Sequence, residues 1–150
     1  MKKYLLIPLF LLAGITHAGS NVSAISGNVS DVLSADTFVV VTGDLEQYKI
    51  RLLGGVDEFK NNSTASGCKK MLSDILNKEV DVDVVGNKDK ENRYVGFVSI
   101  NGENINQRQV LAGCAVTPKK TNSKISKKTY QSLLISEEKA KAMKNGIWAD

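Results

Sequence analysis

The residues that could carry chemistry in this chain are mainly carboxylates, lysines and arginines, because histidine is almost absent. The single histidine, His17, lies in an N-terminal segment that we expect to be removed. Without it the chain has no Ser-His-Asp or Cys-His site, no His-ligated zinc and no histidine general base. Two cysteines are too few for a four-cysteine zinc site. Any hydrolytic chemistry must therefore use carboxylates, lysine, arginine, tyrosine or a metal that prefers oxygen ligands.

The composition predicts one folded domain without an extreme charge. The length of 150 residues is that of a single domain, and a hydrophobic content of 42% is sufficient for a packed core. Only two prolines are present, which argues against a disordered chain. The formal net charge is +4, and it decreases if Lys2 and Lys3 are removed. The protein is therefore not a strong polycation.

The first 18 residues have the pattern of a secretory signal peptide. Lys2 and Lys3 precede an apolar run of about 12 residues, shorter than the roughly 20 residues of a membrane-spanning helix. Residues 16–18 then match a small-x-small cleavage site. We therefore expect cleavage after Ala18, export to the periplasm or outside the cell, no membrane association afterwards, and a flexible leader over residues 19–26.

The two cysteines are candidates for a disulfide. Export would place Cys68 and Cys114 in an oxidising compartment, where cysteines pair. The loop-entropy relation gives such a bond about 4 kcal/mol of stabilisation. The alternative is two buried free thiols.

Apolar periodicity predicts five strands and three helices. Val80, Val82 and Val84 alternate with acidic residues, which is typical of a half-buried strand. A helix between the third and fourth of five strands is the order of an OB-type barrel, here an α+β fold with about three helices. The predicted strands are 27–33, 37–41, 47–53, 80–84 and 93–100, and the predicted helices are 64–76, 105–111 and 125–145.

Five segments resemble, in order, the motifs of the staphylococcal nuclease (thermonuclease) family. They are 27–40, similar to the opening strand pair with V-x-D-G-D-T; 50–54, similar to R-L-x-G; 89–93, similar to D-x-Y-G-R; 106–113, similar to N-x-x-L-V-x-x-G; and 136–148, similar to the closing helix and G-[IL]-W. The resemblance implies a five-stranded OB barrel with flanking helices in a domain that we place at residues 27–150.

The resemblance also implies a Ca²⁺-dependent nuclease that cleaves DNA and RNA. It implies that Asp36 helps to hold Ca²⁺ and that Arg51 and Arg93 clamp the phosphate oxygens. Arginine suits this role because its planar guanidinium stays charged and donates hydrogen bonds in pairs. The alternative is that Asp36 is a turn-forming acid and that both arginines are solvated.

The segment after R-L-x-G departs from the family pattern R-L-x-G-[IV]-D-x-P-E. Read without a gap, Val56 takes the place of the second metal aspartate and Phe59 that of the catalytic glutamate. With one inserted glycine, Asp57 recovers the metal ligand, but Lys60 falls on the glutamate. Glu58 is then the candidate for a displaced catalytic base. The alternative is that Asp57 and Glu58 are exposed loop acids.

Two further features bear on nucleic-acid binding. Lys119 and Lys120 begin a lysine-rich segment that either steers nucleic acid or is simply solvated. The aromatic residues that the family tends to place after the equivalent of Gly113, where they stack on a base, are absent here.

Three functions therefore stay open from the sequence. They are a metal-dependent phosphodiesterase that acts on DNA or RNA, a catalytically degraded relative that binds nucleic acid or another anionic partner, and a protein-interaction module. The first requires Asp36, Arg51, Arg93 and an acid from residues 57–58 to converge on one pocket. We expect the protein to be a monomer.

Overall fold

A computed structural model describes residues 21–119 and 125–149 of the chain. They form a closed five-stranded barrel with three α-helices, so the predicted OB-type α+β fold is confirmed. The predicted signal peptide, the first residues of the predicted leader and Lys120 lie outside the described residues. The strands are β1 (Ala24–Val32), β2 (Thr37–Val41), β3 (Gln47–Leu52), β4 (Glu79–Val84), β5 (Tyr94–Ile100) and the short β6 (Glu103–Asn104), and the helices are α1 (Asn62–Leu72), α2 (Ile105–Leu111) and α3 (Lys127–Ala142).

The barrel is a sheet that closes on itself. Hydrogen-bonded neighbours follow the order β3-β2-β1-β4-β5-β6, and β3 also pairs in parallel with β5. This closing pair, which we call the seam, aligns residues 50–52 with residues 94–96. Closure leaves neither strand with an open edge at this point and brings the end of β3 beside the start of β5.

Alternation along the strands fills the barrel interior. In β4, Val80, Val82 and Val84 are buried and the acidic residues between them are exposed, as the sequence pattern predicts. Burial of each such side chain stabilises the fold by about 1.5–3 kcal/mol. The largest fully buried side chains elsewhere in this core are Phe38, Ile50, Leu52, Leu72, Ile75 and Ile105.

Side-chain caps set where the helices begin. Asn61, Asn104 and Ser126 each accept a backbone N–H bond from the first turn of the helix that follows. α1 ends at Leu72, and a 3₁₀ turn, Ser73–Ile75, completes the segment that was predicted as one helix. α3 is shorter than predicted at both ends. No helix in the described part of the chain is both long enough and apolar enough to cross a membrane.

β1 begins earlier than the sequence pattern predicts. Residues 24–26 pair with residues 81–83 of β4, and Ile25 is buried in the core. The prediction of a flexible leader over 19–26 is therefore wrong for residues 24–26. The physical reason is that β4 offers residues 24–26 a pairing partner, and Ile25 continues the alternation of buried positions along β1 although small and polar residues surround it in the sequence.

Asn106 of α2 fixes that helix against the end of the seam. Its Oδ1 accepts the Val98 N–H at 2.8 Å, and its Nδ2 donates to the carbonyls of Leu53 and Gly96, both at 3.1 Å. A buried amide that satisfies three backbone groups holds its neighbours in one arrangement. It thereby sets the path of the chain directly after β3.

Cys68 of α1 and Cys114, which follows α2, form a disulfide, so the predicted pairing is confirmed. Both are buried with Ala35, and Phe59 packs against this cluster. Because Ala35 lies directly before Asp36, the bond holds α1 beside the start of β2.

Glu137 of α3 ties that helix to the chain beyond α2. Its Oε2 accepts the Thr117 backbone N–H at 2.6 Å, and its Oε1 pairs with Lys141 Nζ at 2.9 Å. Burial acts to raise the pKa of Glu137, but the bonds from Thr117 and Lys141 outweigh it and hold the pKa below its ordinary value of 4.5. A carboxyl with a lowered pKa stabilises the fold above its unfolded-state pKa, and this contribution is lost as the pH falls through the folded-state pKa.

Glu137→Gln is therefore expected to lower the free energy of unfolding by roughly 1–3 kcal/mol near neutral pH. The difference from wild type should shrink as the pH falls below 4.5, and urea titrations at several pH values measure it. Glu138→Gln is the matched control, because Glu138 contacts the same Lys141 but is 74% exposed. A Glu137 variant as stable as wild type at neutral pH would contradict this account.

Candidate functional site

The seam places Arg51 and Arg93 at the same end of the barrel. Arg51 lies in β3, opposite Thr37 of β2 on one side and Val95 of β5 on the other. Arg93 directly precedes β5. The closing pair of strands therefore brings together two arginines that are far apart in the sequence.

The buried carboxylate of Asp36 accepts hydrogen bonds from several neighbouring side chains. Ser34 Oγ and Thr37 Oγ1 donate to its Oδ1 at 2.9 and 2.7 Å. Arg51 Nε donates to its Oδ2 at 2.8 Å. Asp36 is only 6% exposed, and a buried charge requires such compensation. The carboxylate is thus placed as the anionic partner of Arg51.

Arg51 also binds a second acid. Its Nη2 donates to Asp57 Oδ1 at 2.6 Å and to the Gly55 carbonyl at 3.1 Å. Burial acts to lower the pKa of the Arg51 guanidinium, but the hydrogen bonds and charges of Asp36 and Asp57 outweigh burial and raise the pKa above its ordinary value. Arg51 therefore stays a cation and is held in one orientation.

The Gly54–Gly55 pair lets the chain pass close to Asp36. Gly54 has a φ of +87°, in the left-handed region that favours glycine. A side chain at Gly55 would collide with the Asp36 carboxylate. The extra glycine thus allows the loop to fold over this carboxylate, and the residue that then reaches Arg51 is Asp57.

Arg93 is buried and is held by the charged turn before it. Its Nε donates to Asp89 Oδ2 at 2.8 Å, and its Nη1 lies 3.3 Å from Glu91 Oε2. Burial acts to raise the pKa of Asp89, but the hydrogen bonds from Arg93 and from the Glu91 backbone outweigh it and lower the pKa. Arg93 Nη1 also donates to Thr37 Oγ1 at 3.1 Å. Because the same hydroxyl donates to Asp36, Thr37 connects the two arginine–acid pairs.

Asp36, Arg51, Asp57 and Arg93 line one cleft of about 490 Å³. The structure thus brings the two arginines together with Asp36 and one acid of residues 57–58, as the phosphodiesterase hypothesis requires. We call this cleft the arginine cleft. Its remaining wall is formed by Leu33, Ser34, Ala35, Val56, Phe59, Ala65, Ser66, Lys69 and Glu91.

Lys69 and Glu91 line the arginine cleft although the sequence analysis did not single them out as site residues. Lys69 is exposed in the last turn of α1, directly after the disulfide-bonded Cys68. Ala65 and Lys69 have i, i+4 spacing and therefore share a helix face, but only the structure shows that this face lines the cleft. Glu91 lies in the turn before Arg93, within the segment 89–93 that resembles the family motif.

Glu58 does not line the arginine cleft. It is exposed and lines a neighbouring cleft, so its placement gives no support to a role as catalytic base. Val56 and Phe59, which the ungapped reading aligns with the metal aspartate and the catalytic glutamate, do line the arginine cleft, and both are apolar. Lys119 is exposed and is not part of this wall, and Lys120 lies outside the described residues.

The oxygen donors of the arginine cleft do not fit a resident Ca²⁺. This ion takes roughly six to eight oxygen ligands, which carboxylates, carbonyl groups and waters supply. In residues 21–119 and 125–149, no group of three or more acidic, histidine or cysteine side chains is arranged to hold a metal. Asp36 and Asp57, the two acids that the resemblance assigns to the metal, are both paired with the guanidinium of Arg51.

A comparison with known protein families agrees with the geometry. The family model described as "Staphylococcal nuclease homologue" matches residues 49–150, which include Arg51, Arg93 and the C-terminal helix. Proteins of this family generally bind nucleic acids and are generally Ca²⁺-dependent. No curated protein matches the chain.

Proposed function

Because this chain belongs to the staphylococcal nuclease family, we propose that its arginine cleft binds the phosphodiester backbone of DNA or RNA. The observation that carries the proposal is the placement of Arg51 and Arg93 on one cleft. Guanidinium groups donate paired, charge-assisted hydrogen bonds to phosphate oxygens. Lys69 adds a third positive charge on the same wall.

Neighbouring acids orient both arginines before a phosphate arrives. Asp36 holds the Nε of Arg51, and Asp89 holds the Nε of Arg93. A side chain that is already fixed loses less conformational entropy when its remaining N–H groups bind a ligand. Thr37 contributes to the same pre-organisation, because its hydroxyl contacts both Arg93 and Asp36.

Hydrolysis of the bound phosphodiester is a second candidate function, and Asp57 favours it. The Asp57 side chain is 85% exposed and contacts Arg51. An exposed carboxylate beside a bound phosphate can accept a proton from an attacking water. In contrast, apolar Phe59 lies on the wall where the ungapped alignment expects the family glutamate. Binding without cleavage is therefore the better supported function.

We further propose that the mature protein is exported to the periplasm or beyond and acts as a monomer. The Cys68–Cys114 disulfide supports export, because such bonds persist in oxidising compartments. Protein recovered from a periplasmic or culture fraction should begin at Gly19. Retention of the full-length chain in the cytoplasm would contradict this part of the proposal.

The test of nucleic-acid binding uses the mature protein and a fluorescently labelled single-stranded DNA. Anisotropy measures binding with Ca²⁺ and with a chelator, and gels of the same samples detect cleavage. We expect binding in both conditions, with log K falling against log salt at a slope of about −1.4 to −2, the value for two or three phosphate contacts.

The other outcomes separate the hypotheses. Cleavage in both conditions would establish the second candidate function. Cleavage that needs Ca²⁺ would establish metal-dependent hydrolysis and would contradict the conclusion that the donors of the cleft do not fit this ion. Neither binding nor cleavage would overturn the proposal and favour a protein-interaction module.

A further inference from the structure

A second cleft of about 280 Å³ adjoins the arginine cleft. The two clefts share Val56 and Phe59, so they are contiguous. The walls of the second cleft come from the loop after β3, the first turn of α1 and the C-terminal 3₁₀ turn Gly146–Trp148. Two aromatic side chains, Phe59 and Trp148, therefore line a space that opens beside the two arginines.

Trp148 lines this cleft with its indole ring. Its Nε1 is buried beneath the surface and has no hydrogen-bond partner in the part of the chain that the structure describes. The cleft therefore meets the ring of Trp148 and not this N–H. The ammonium of Lys141 lies over the indole, 4.9 Å from the ring centroid.

We propose that this second cleft is a nucleobase subsite. The inference rests on the proposed function, because its occupant is a base attached to the backbone that the arginine cleft holds. A nucleobase offers flat π faces that stack on aromatic rings such as those of Phe59 and Trp148. Their shared wall lets one strand place a phosphate in the first cleft and a base in the second.

The subsite would replace the base-stacking aromatic residues that the family tends to carry after the helix corresponding to α2. Ala115 is buried and Val116 is aliphatic, so this segment offers no stacking surface. Phe59, which lines both clefts, supplies one instead.

The test uses the intrinsic fluorescence of Trp148, which is the only tryptophan of the chain. Wild-type mature protein is titrated with a short oligodeoxythymidylate and with an abasic oligomer of the same length and phosphate number. The base-containing strand should change the emission and bind about tenfold more tightly, within the range for stacking of one base. Equal affinities with unchanged emission for both strands would overturn the subsite while leaving phosphate binding intact.

If neither strand binds, the proposed function fails and the subsite fails with it, so the two failures can be told apart. Phe59→Leu should bring the two affinities close together, because it removes one stacking wall and keeps Trp148 as the reporter. Tyr48→Leu, which removes an aromatic ring that lines neither cleft, should keep the wild-type ratio. If Phe59→Leu still binds the base-containing strand about tenfold more tightly than the abasic strand, the inference is also overturned.

Discussion

Replacing Arg51 and Arg93 together with lysine is expected to weaken the binding of single-stranded DNA by about 100-fold. Lysine keeps a positive charge at each position but loses the planar fork that donates two parallel bonds to phosphate. Each charge-assisted bond contributes about 1.5–3 kcal/mol, and lysine recovers only part of it. The slope of log K against log salt should therefore change little while the affinity falls. Anisotropy titrations at several salt concentrations measure both quantities.

Arg108→Lys is the matched control for this prediction. Arg108 of α2 is the third arginine of the chain and does not line the arginine cleft. Its variant should bind DNA like wild type. Thermal unfolding must accompany each measurement, because Arg51 and Arg93 neutralise nearby acids and also support the fold. A folded double-lysine variant with wild-type affinity would exclude this cleft as the phosphate site.

Replacing Cys68 and Cys114 with alanine is expected to lower the free energy of unfolding by about 4 kcal/mol. The bond joins residues separated by 46 positions, and a cross-link of that span restricts the unfolded chain strongly. Small domains are stable by only about 5–15 kcal/mol, so this change removes a large share. Urea titrations of the double variant and of wild type measure the difference.

Wild-type protein under reducing conditions provides the control for the cross-link. Reduction breaks the bond but keeps both sulfur atoms in the core, so it isolates the effect of the connection from that of lost packing. Both proteins should lose stability, and the alanine variant should lose somewhat more because Cys68 and Cys114 are buried. A double-alanine variant as stable as oxidised wild type would show that the bond is dispensable.

The barrel could be predicted from the sequence because most of its strands have one buried face. The alternation of Val80, Val82 and Val84 identifies β4 without any tertiary information. The two arginines could be found as well, because each stands in a short motif whose order along the chain is that of the family. The first residues of β1 were the exception, since residues 24–26 were predicted as a leader and instead pair with β4.

The loop after β3 could not be predicted in the same way. One extra glycine allows two alignments, which assign the place of the metal aspartate to Val56 or to Asp57. Both residues line the arginine cleft, and of the two it is Asp57 that binds Arg51. The choice depends on Gly55 packing against Asp36, a contact between distant segments that periodicity does not encode. That this loop and Trp148 line one cleft depends equally on tertiary packing. The functional surface was therefore least predictable where the chain departs from its family.

The shortness of the seam has a consequence for the dynamics of the protein. The pairing of β3 with β5 aligns residues 50–52 with residues 94–96, and one further bond runs from the Leu53 N–H to the Gly96 carbonyl. Parallel pairing is slightly less stable per residue than antiparallel pairing. Transient breathing at this junction would separate Arg51 from Arg93 while the valine-rich interior stays packed. An anion that binds both guanidinium groups would connect the end of β3 to the start of β5. Ligand affinity and barrel rigidity are therefore expected to rise and fall together.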